Sequence, residues 1–95
     1  MDGYTYILLC SNNCYYTGST KYLESRVQDH NAGNGANYTK KHLPVELVYY
    51  EVYPRIDWVF QREKQIQGWS RKKKEALIRG EAHLIPKLAK KIFRK

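Results

Sequence analysis

A chain of 95 residues with 42% hydrophobic content fits one domain with a thin core and leaves little room for a second. Its 17 Lys and Arg against 9 Asp and Glu give a formal charge of +8, which favours a polyanionic partner: nucleic acid or an anionic membrane surface. No apolar run approaches the ~20 residues of a membrane span or has the form of a signal peptide, so a cytoplasmic protein with no membrane segment is expected.

Tyr4 to Cys10 reads as the first strand, rich in aromatic and aliphatic residues. Ser11, Asn12 and Asn13 are turn formers, and Cys14 to Gly18 reads as the return strand of a hairpin. Ser19 or Thr20 is positioned to cap the helix that follows, whose Leu23 and Val27 repeat at i, i+4. Gly18, between that strand and helix, serves either as a turn or as a point where a phosphate approaches the backbone. Asn31 to Asn37 holds two glycines and three asparagines, which ends the helix. After Pro44, Val45 to Tyr53 reads as a strand with Leu47 and Tyr49 on one side and Val48, Tyr50 and Val52 on the other. A strand apolar on both sides predicts a central position with helices on each face. Ile56, Val59, Phe60 and Ile66 form the stripe of the next helix, which stops at Gly68. Ser70 caps a third helix running to about Arg79, and Pro86 opens a last, basic one within about 84–95. The order β-β-α-β-α-α-α is α+β with a three-stranded sheet, one domain over 1–95 with its core at about 4–80.

Cys10 and Cys14 lack the paired spacing of a zinc site, which would have to recruit His30, His42 or His83 from scattered positions. Free thiols in a reducing compartment are the expectation.

Several residues fit poorly into a merely structural domain. Glu63 lies at i+7, i+4 and i+3 from Ile56, Val59 and Phe60, which sets a carboxylate on an apolar stripe. Such a group is either paired with an Arg or Lys or is a metal ligand at the floor of a cleft. Arg26 and His30 share a helical face at i, i+4: a solvated face, or a phosphate-binding fork beside a group that exchanges protons near neutral pH. Tyr6 and Tyr16 lie on the two hairpin strands and could face each other, as packing residues or as site residues. Arg71, Lys72, Lys73 and Lys74 put four cations in the first turn of a helix, against its dipole. That arrangement is a solubilising run or a surface for a polyanion, and Lys87, Lys90, Lys91, Arg94 and Lys95 repeat it.

Five segments in order resemble the GIY-YIG nuclease superfamily, in particular its small single-domain bacterial members. They are YTYIL at 4–8, YYTGST at 15–20, Arg26 with His30, YTKKHLPVELVYYE at 38–51 and QREKQIQGWSRKKKEALI at 61–78. The first motif reads YTY where the family name has GIY, the second reads YTG, and Ser19 stands where some members carry a Lys. The resemblance implies a three-stranded antiparallel sheet flanked by helices, and active-site residues at Tyr6, Tyr16, Arg26, His30 and Glu63. It implies one divalent ion, Mg2+ or Mn2+, on Glu63, with Tyr6 as base, Tyr16 positioning the water and Arg26 stabilising charge. Lys40, Lys41 and Arg71 to Lys74 are the expected nucleic-acid contacts. The leading expectation is a metal-dependent DNA endonuclease selecting structure more than sequence, with RNA a further possible substrate. The alternatives are a non-catalytic nucleic-acid-binding module, or an accessory subunit of a larger DNA-repair or recombination complex.

Overall fold

The computed structural model describes residues 2–81. The basic helix expected within 84–95 lies outside them. Strand β1 (Gly3–Leu9) and strand β2 (Tyr15–Thr20) form an antiparallel hairpin. Asn13 turns the chain between them with φ 67°, a left-handed conformation that Asn tolerates better than most residues. Helix α1 (Leu23–Asn31) and the short α2 (Asn37–Lys40) come next, then β3 (Glu46–Tyr53), α3 (Ile56–Gln67) and α4 (Arg71–Ile78). The sheet order is β2-β1-β3, with both pairings antiparallel. The α+β architecture agrees with the expectation, while α2 is an element that the sequence pattern did not indicate.

The central strand is β1, not β3. Its Tyr6 and Leu8 pack with Val45, Leu23 and Val27 on the α1 face, and Ile7 packs with Ile66, Trp69, Ala76 and Leu77 on the other. Ile7, Leu8 and Ile66 are fully buried, each contributing about 1.5–3 kcal/mol of apolar transfer. Strand β3 is an edge whose two-sided apolar pattern has a different cause. Ile7 pairs with Tyr49 but Leu8 pairs with Leu47, so Val48 is an extra residue in a β-bulge. The bulge sends Leu47 to the α1 face and both Val48 and Tyr49 to the α3–α4 face, which separates the expected pair Leu47 and Tyr49. Beyond it Tyr50 and Val52 are exposed.

Two further expectations change. Helix α1 begins at Leu23 with no side-chain cap; Ser19 is still in β2, and the Thr20 hydroxyl accepts the Tyr22 N–H at 3.0 Å. Phe60 is exposed, so the buried stripe of α3 is Val59 and Ile66. By contrast Ser70 does cap α4, accepting from the Lys73 N–H at 3.4 Å. The Asn31 side chain ties the end of α1 to the start of β3, accepting from the Val45 N–H at 2.7 Å and donating to its carbonyl at 3.0 Å.

Candidate active site

Tyr6 projects from the middle of the central strand toward α1 and is buried. Across the ladder stands Gly18, inside β2 rather than in a turn after it. A side chain at Gly18 would collide with the Tyr6 ring, so the glycine leaves room for the phenol rather than for a phosphate. Tyr16 pairs with Leu8, two residues along the same face, so the two tyrosines are diagonal neighbours rather than directly opposed.

Tyr6 Oη lies 3.0 Å from His30 Nε2 in the last turn of α1. His30 is 1% exposed, and its Nδ1 is 2.7 Å from Thr39 Oγ1 on α2. The Thr39 hydroxyl donates to the Ala36 carbonyl at 3.0 Å. Gly35 presses so closely on the imidazole that a Cβ there would overlap Nδ1. Burial pushes the His30 pKa below its ordinary value, and the Arg26 cation adds to this, so the ring is neutral at pH 7. Burial also pushes the Tyr6 phenol well above its ordinary value, reinforced by Tyr16 and opposed by Arg26. Tyr16 is raised by burial and then by the Glu63 carboxylate.

Glu63, on α3, reaches the site from the opposite side of the sheet. Its Oε1 accepts from Ser19 Oγ at 2.5 Å and its Oε2 from Gln67 Nε2 at 2.9 Å. Both partners are neutral, and no ion pair among the described residues includes Glu63. The expected alternative of a simple Arg or Lys pair is therefore absent among the described residues.

Tyr6, Tyr16, Gly18, Ser19, Arg26, His30 and Glu63 line one cavity of about 330 Å³, together with Asn34, Gly35 and Ala36. Residues from both faces of the sheet share it, so the cavity wraps round the edge strand β2. Among the described residues no three His, Cys, Asp or Glu converge to hold a metal ion, which leaves Glu63 as the carboxylate of this cavity. One carboxylate, with water and phosphate oxygens completing the shell, is how Mg2+ commonly binds, and a lone carboxylate facing a cavity fits such an ion.

The basic residues lie elsewhere. Lys40 and Lys41 are exposed at the end of α2. Arg71 is turned onto its own protein: it donates to Glu75 at 3.0 Å and to the Asn13 carbonyl at 2.7 Å, with its guanidinium 4.6 Å from the Tyr15 ring centroid. Lys72 is exposed, Lys73 is half-buried, and burial lowers the Lys74 pKa. Of the residues that the geometry adds, Gln67 was legible as an i+4 partner of Glu63. Thr39 carried no sequence signal, because a four-residue helix shows no periodicity.

A hairpin, a helix carrying Arg and His, and a carboxylate converging from a later helix define a nuclease-like domain of the GIY-YIG type. Residues 2–76 match the model of the GIY-YIG catalytic domain, and the chain belongs to that family, within a nuclease superfamily. Nucleases of this family act on nucleic acid and generally depend on a divalent metal. The chain is 45% identical over 80 residues to a UPF0213 protein of Natronomonas pharaonis, covering 84% of this chain and 94% of the relative. It is 44% identical over 75 residues to one of Staphylococcus haemolyticus, covering 79% and 92%. The solution NMR structure of the UPF0213 protein of Bacillus halodurans superposes with TM-score 0.56 at 32% identity, covering 95% of this chain and 96% of that one. A protein of E. faecalis gives TM-score 0.58 at 30% identity over 84% and 85%.

Proposed function

We propose that this chain is a metal-dependent endonuclease that hydrolyses phosphodiester bonds in DNA, choosing its target by structure. The observation that carries this reading is the buried Tyr6–His30 hydrogen bond in the wall of a cavity that also holds Tyr16, Arg26 and Glu63. A raised phenol is no base by itself at neutral pH, since its proton must go somewhere. The neutral His30 Nε2 is an acceptor within hydrogen-bond reach. As Tyr6 Oη takes a proton from the attacking water, its own proton passes to His30 Nε2. The water oxygen bonds to phosphorus, the bond from phosphorus to the leaving oxygen breaks, and that oxygen takes a proton from solvent. Tyr16 orients the water, and Arg26 offsets charge on the phosphate oxygens. Glu63 would hold the divalent ion, Mg2+ or Mn2+, which when bound supplies charge neutralisation at the scissile phosphate. Lys40, Lys41, Lys72, Lys73 and Lys74 then serve as phosphate contacts that position the duplex without reading bases.

The test is a panel of nicked, flapped, branched and single-stranded DNAs incubated with purified protein and Mg2+ or Mn2+. Cleavage of at least one member, abolished in Tyr6→Phe, is expected. Salt-dependent binding with no cleavage of any member under either metal would replace this reading with a non-catalytic nucleic-acid-binding module.

A further inference from the structure

We propose that Thr39 is a positioning residue that fixes the tautomer of His30 and so aims the Tyr6 proton at Nε2. A threonine hydroxyl has one proton to give. Thr39 gives it to the Ala36 carbonyl, which α2 holds in place by the Lys40 N–H at 3.0 Å. What Thr39 presents to His30 Nδ1, 2.7 Å away, is therefore a lone pair, and Nδ1 must carry the hydrogen. A neutral imidazole with its hydrogen on Nδ1 has a bare Nε2, and Nε2 is the atom facing Tyr6 Oη. The phenol is thus the donor in that bond, the direction that the proposed proton transfer requires.

In the opposite tautomer a bare Nδ1 would face the Thr39 lone pair at 2.7 Å. Nε2–H would then donate to the phenol oxygen, reversing that bond, and the Tyr6 proton would have to seek another acceptor. Thr39 is 0% exposed and Gly35 closes the other side of the ring, so water does not offer Nδ1 a substitute acceptor and the imidazole has no space to turn. Position 39 thus needs a hydroxyl, and valine, of the same shape, lacks one.

The tautomer assignment stands on hydrogen bonding alone, whereas its effect on turnover rests on the nuclease reading above. The experiment therefore has two arms. Nitrogen-15 NMR of the imidazole ring at pH 7, without metal or DNA, should find the Nδ1–H tautomer of His30 in the wild type and in Thr39→Ser. In Thr39→Val, a buried Nδ1–H loses its acceptor and the population should shift to Nε2–H. In the second arm, kcat for cleavage in Thr39→Val should fall by about 10²-fold or more, the scale expected when a group fixing a catalytic tautomer is removed. KM should change little, and Thr39→Ser should restore the rate. An Nε2–H wild-type ring, or an unshifted tautomer in folded Thr39→Val, would overturn the proposal. If Thr39→Val does not fold, the wild-type and Thr39→Ser spectra decide by themselves. Absence of cleavage in the wild type would count against the nuclease reading and leave the NMR result to judge Thr39.

Discussion

Gly18 faces Tyr6 across the β1–β2 ladder, and the Tyr6 phenol lies across the space that a Gly18 side chain would fill. A Cβ there would stand 2.5 Å from Tyr6 Oη and 2.6 Å from Cζ. Gly18→Ala should therefore displace the phenol and lengthen its bond to His30. Overpacking of this kind costs about 1–3 kcal/mol, and the cleavage rate should fall much further than the melting temperature suggests. Thermal melting alongside cleavage kinetics checks this; a variant matching the wild type in both would place the phenol elsewhere.

Glu63→Gln should leave stability within about 1 kcal/mol of the wild type, since Gln still accepts from Ser19 and strands no cation among the described residues. Cleavage should drop by several hundredfold or more, on the order of 10²–10³ for loss of one electrostatic stabiliser. DNA binding should persist or tighten, because one negative charge near the phosphate is gone. A melting curve, a binding isotherm and a single-turnover rate cover the three parts. Wild-type cleavage by the folded variant would remove Glu63 from metal binding.

One pH effect on stability should come from Glu51, outside the cavity. Burial alone would raise its pKa, but hydrogen bonds from Arg62 at 2.8 and 3.0 Å, with others from Tyr49 and Tyr53, outweigh burial and hold it below the ordinary value. A carboxyl whose folded pKa is depressed adds stability above its unfolded pKa, about 4.3, and loses it as pH falls through the folded value. The melting temperature should thus decline in acid, and Glu51→Gln should flatten that decline. At pH 7 the same variant leaves the Arg62 cation, 18% exposed, without its charged partner, at a cost of about 3 kcal/mol. An acid melting profile unchanged in Glu51→Gln would contradict this assignment.

The basic turn of α4 divides into two kinds of residue. Arg71→Ala should destabilise the hairpin tip by roughly 1 kcal/mol, through loss of the Asn13 carbonyl, Glu75 and Tyr15 contacts. Lys72→Glu/Lys73→Glu should leave the melting temperature nearly unchanged. It should weaken DNA binding uniformly across sequences, and the slope of log K against log salt should flatten by about 2 if each lysine meets one phosphate. Equal slopes for the double variant and wild type would exclude α4 from the binding surface.

Much of this architecture was legible because its determinants are local. Tyr6, Tyr16, Arg26, His30 and Glu63 could be singled out from strand and helix spacing and from the family motifs, and the folded chain brings them to one cavity. What escaped depended on long-range pairing. The bulge at Val48 is invisible until β3 is laid against β1, and it reverses which face Tyr49 takes. Phe60 has the right period to be buried, yet the sheet meets α3 along Val59 and Ile66. Arg71 looked like free charge because its acceptor, the Asn13 carbonyl, is 58 residues away. Gly18 looked like a turn because a mid-strand glycine makes sense only once Tyr6 stands opposite.

The cavity takes Tyr6 from the central strand, Tyr16 from an edge, Arg26 and His30 from one side of the sheet and Glu63 from the other. No fragment ending before Glu63 can assemble it, and neither can a longer one whose α3 has not yet docked. On the proposed reading, a chain still emerging from the ribosome is harmless to the nucleic acid around it. The blade is sharpened only when folding is finished, so hydrolytic competence and native structure arrive together.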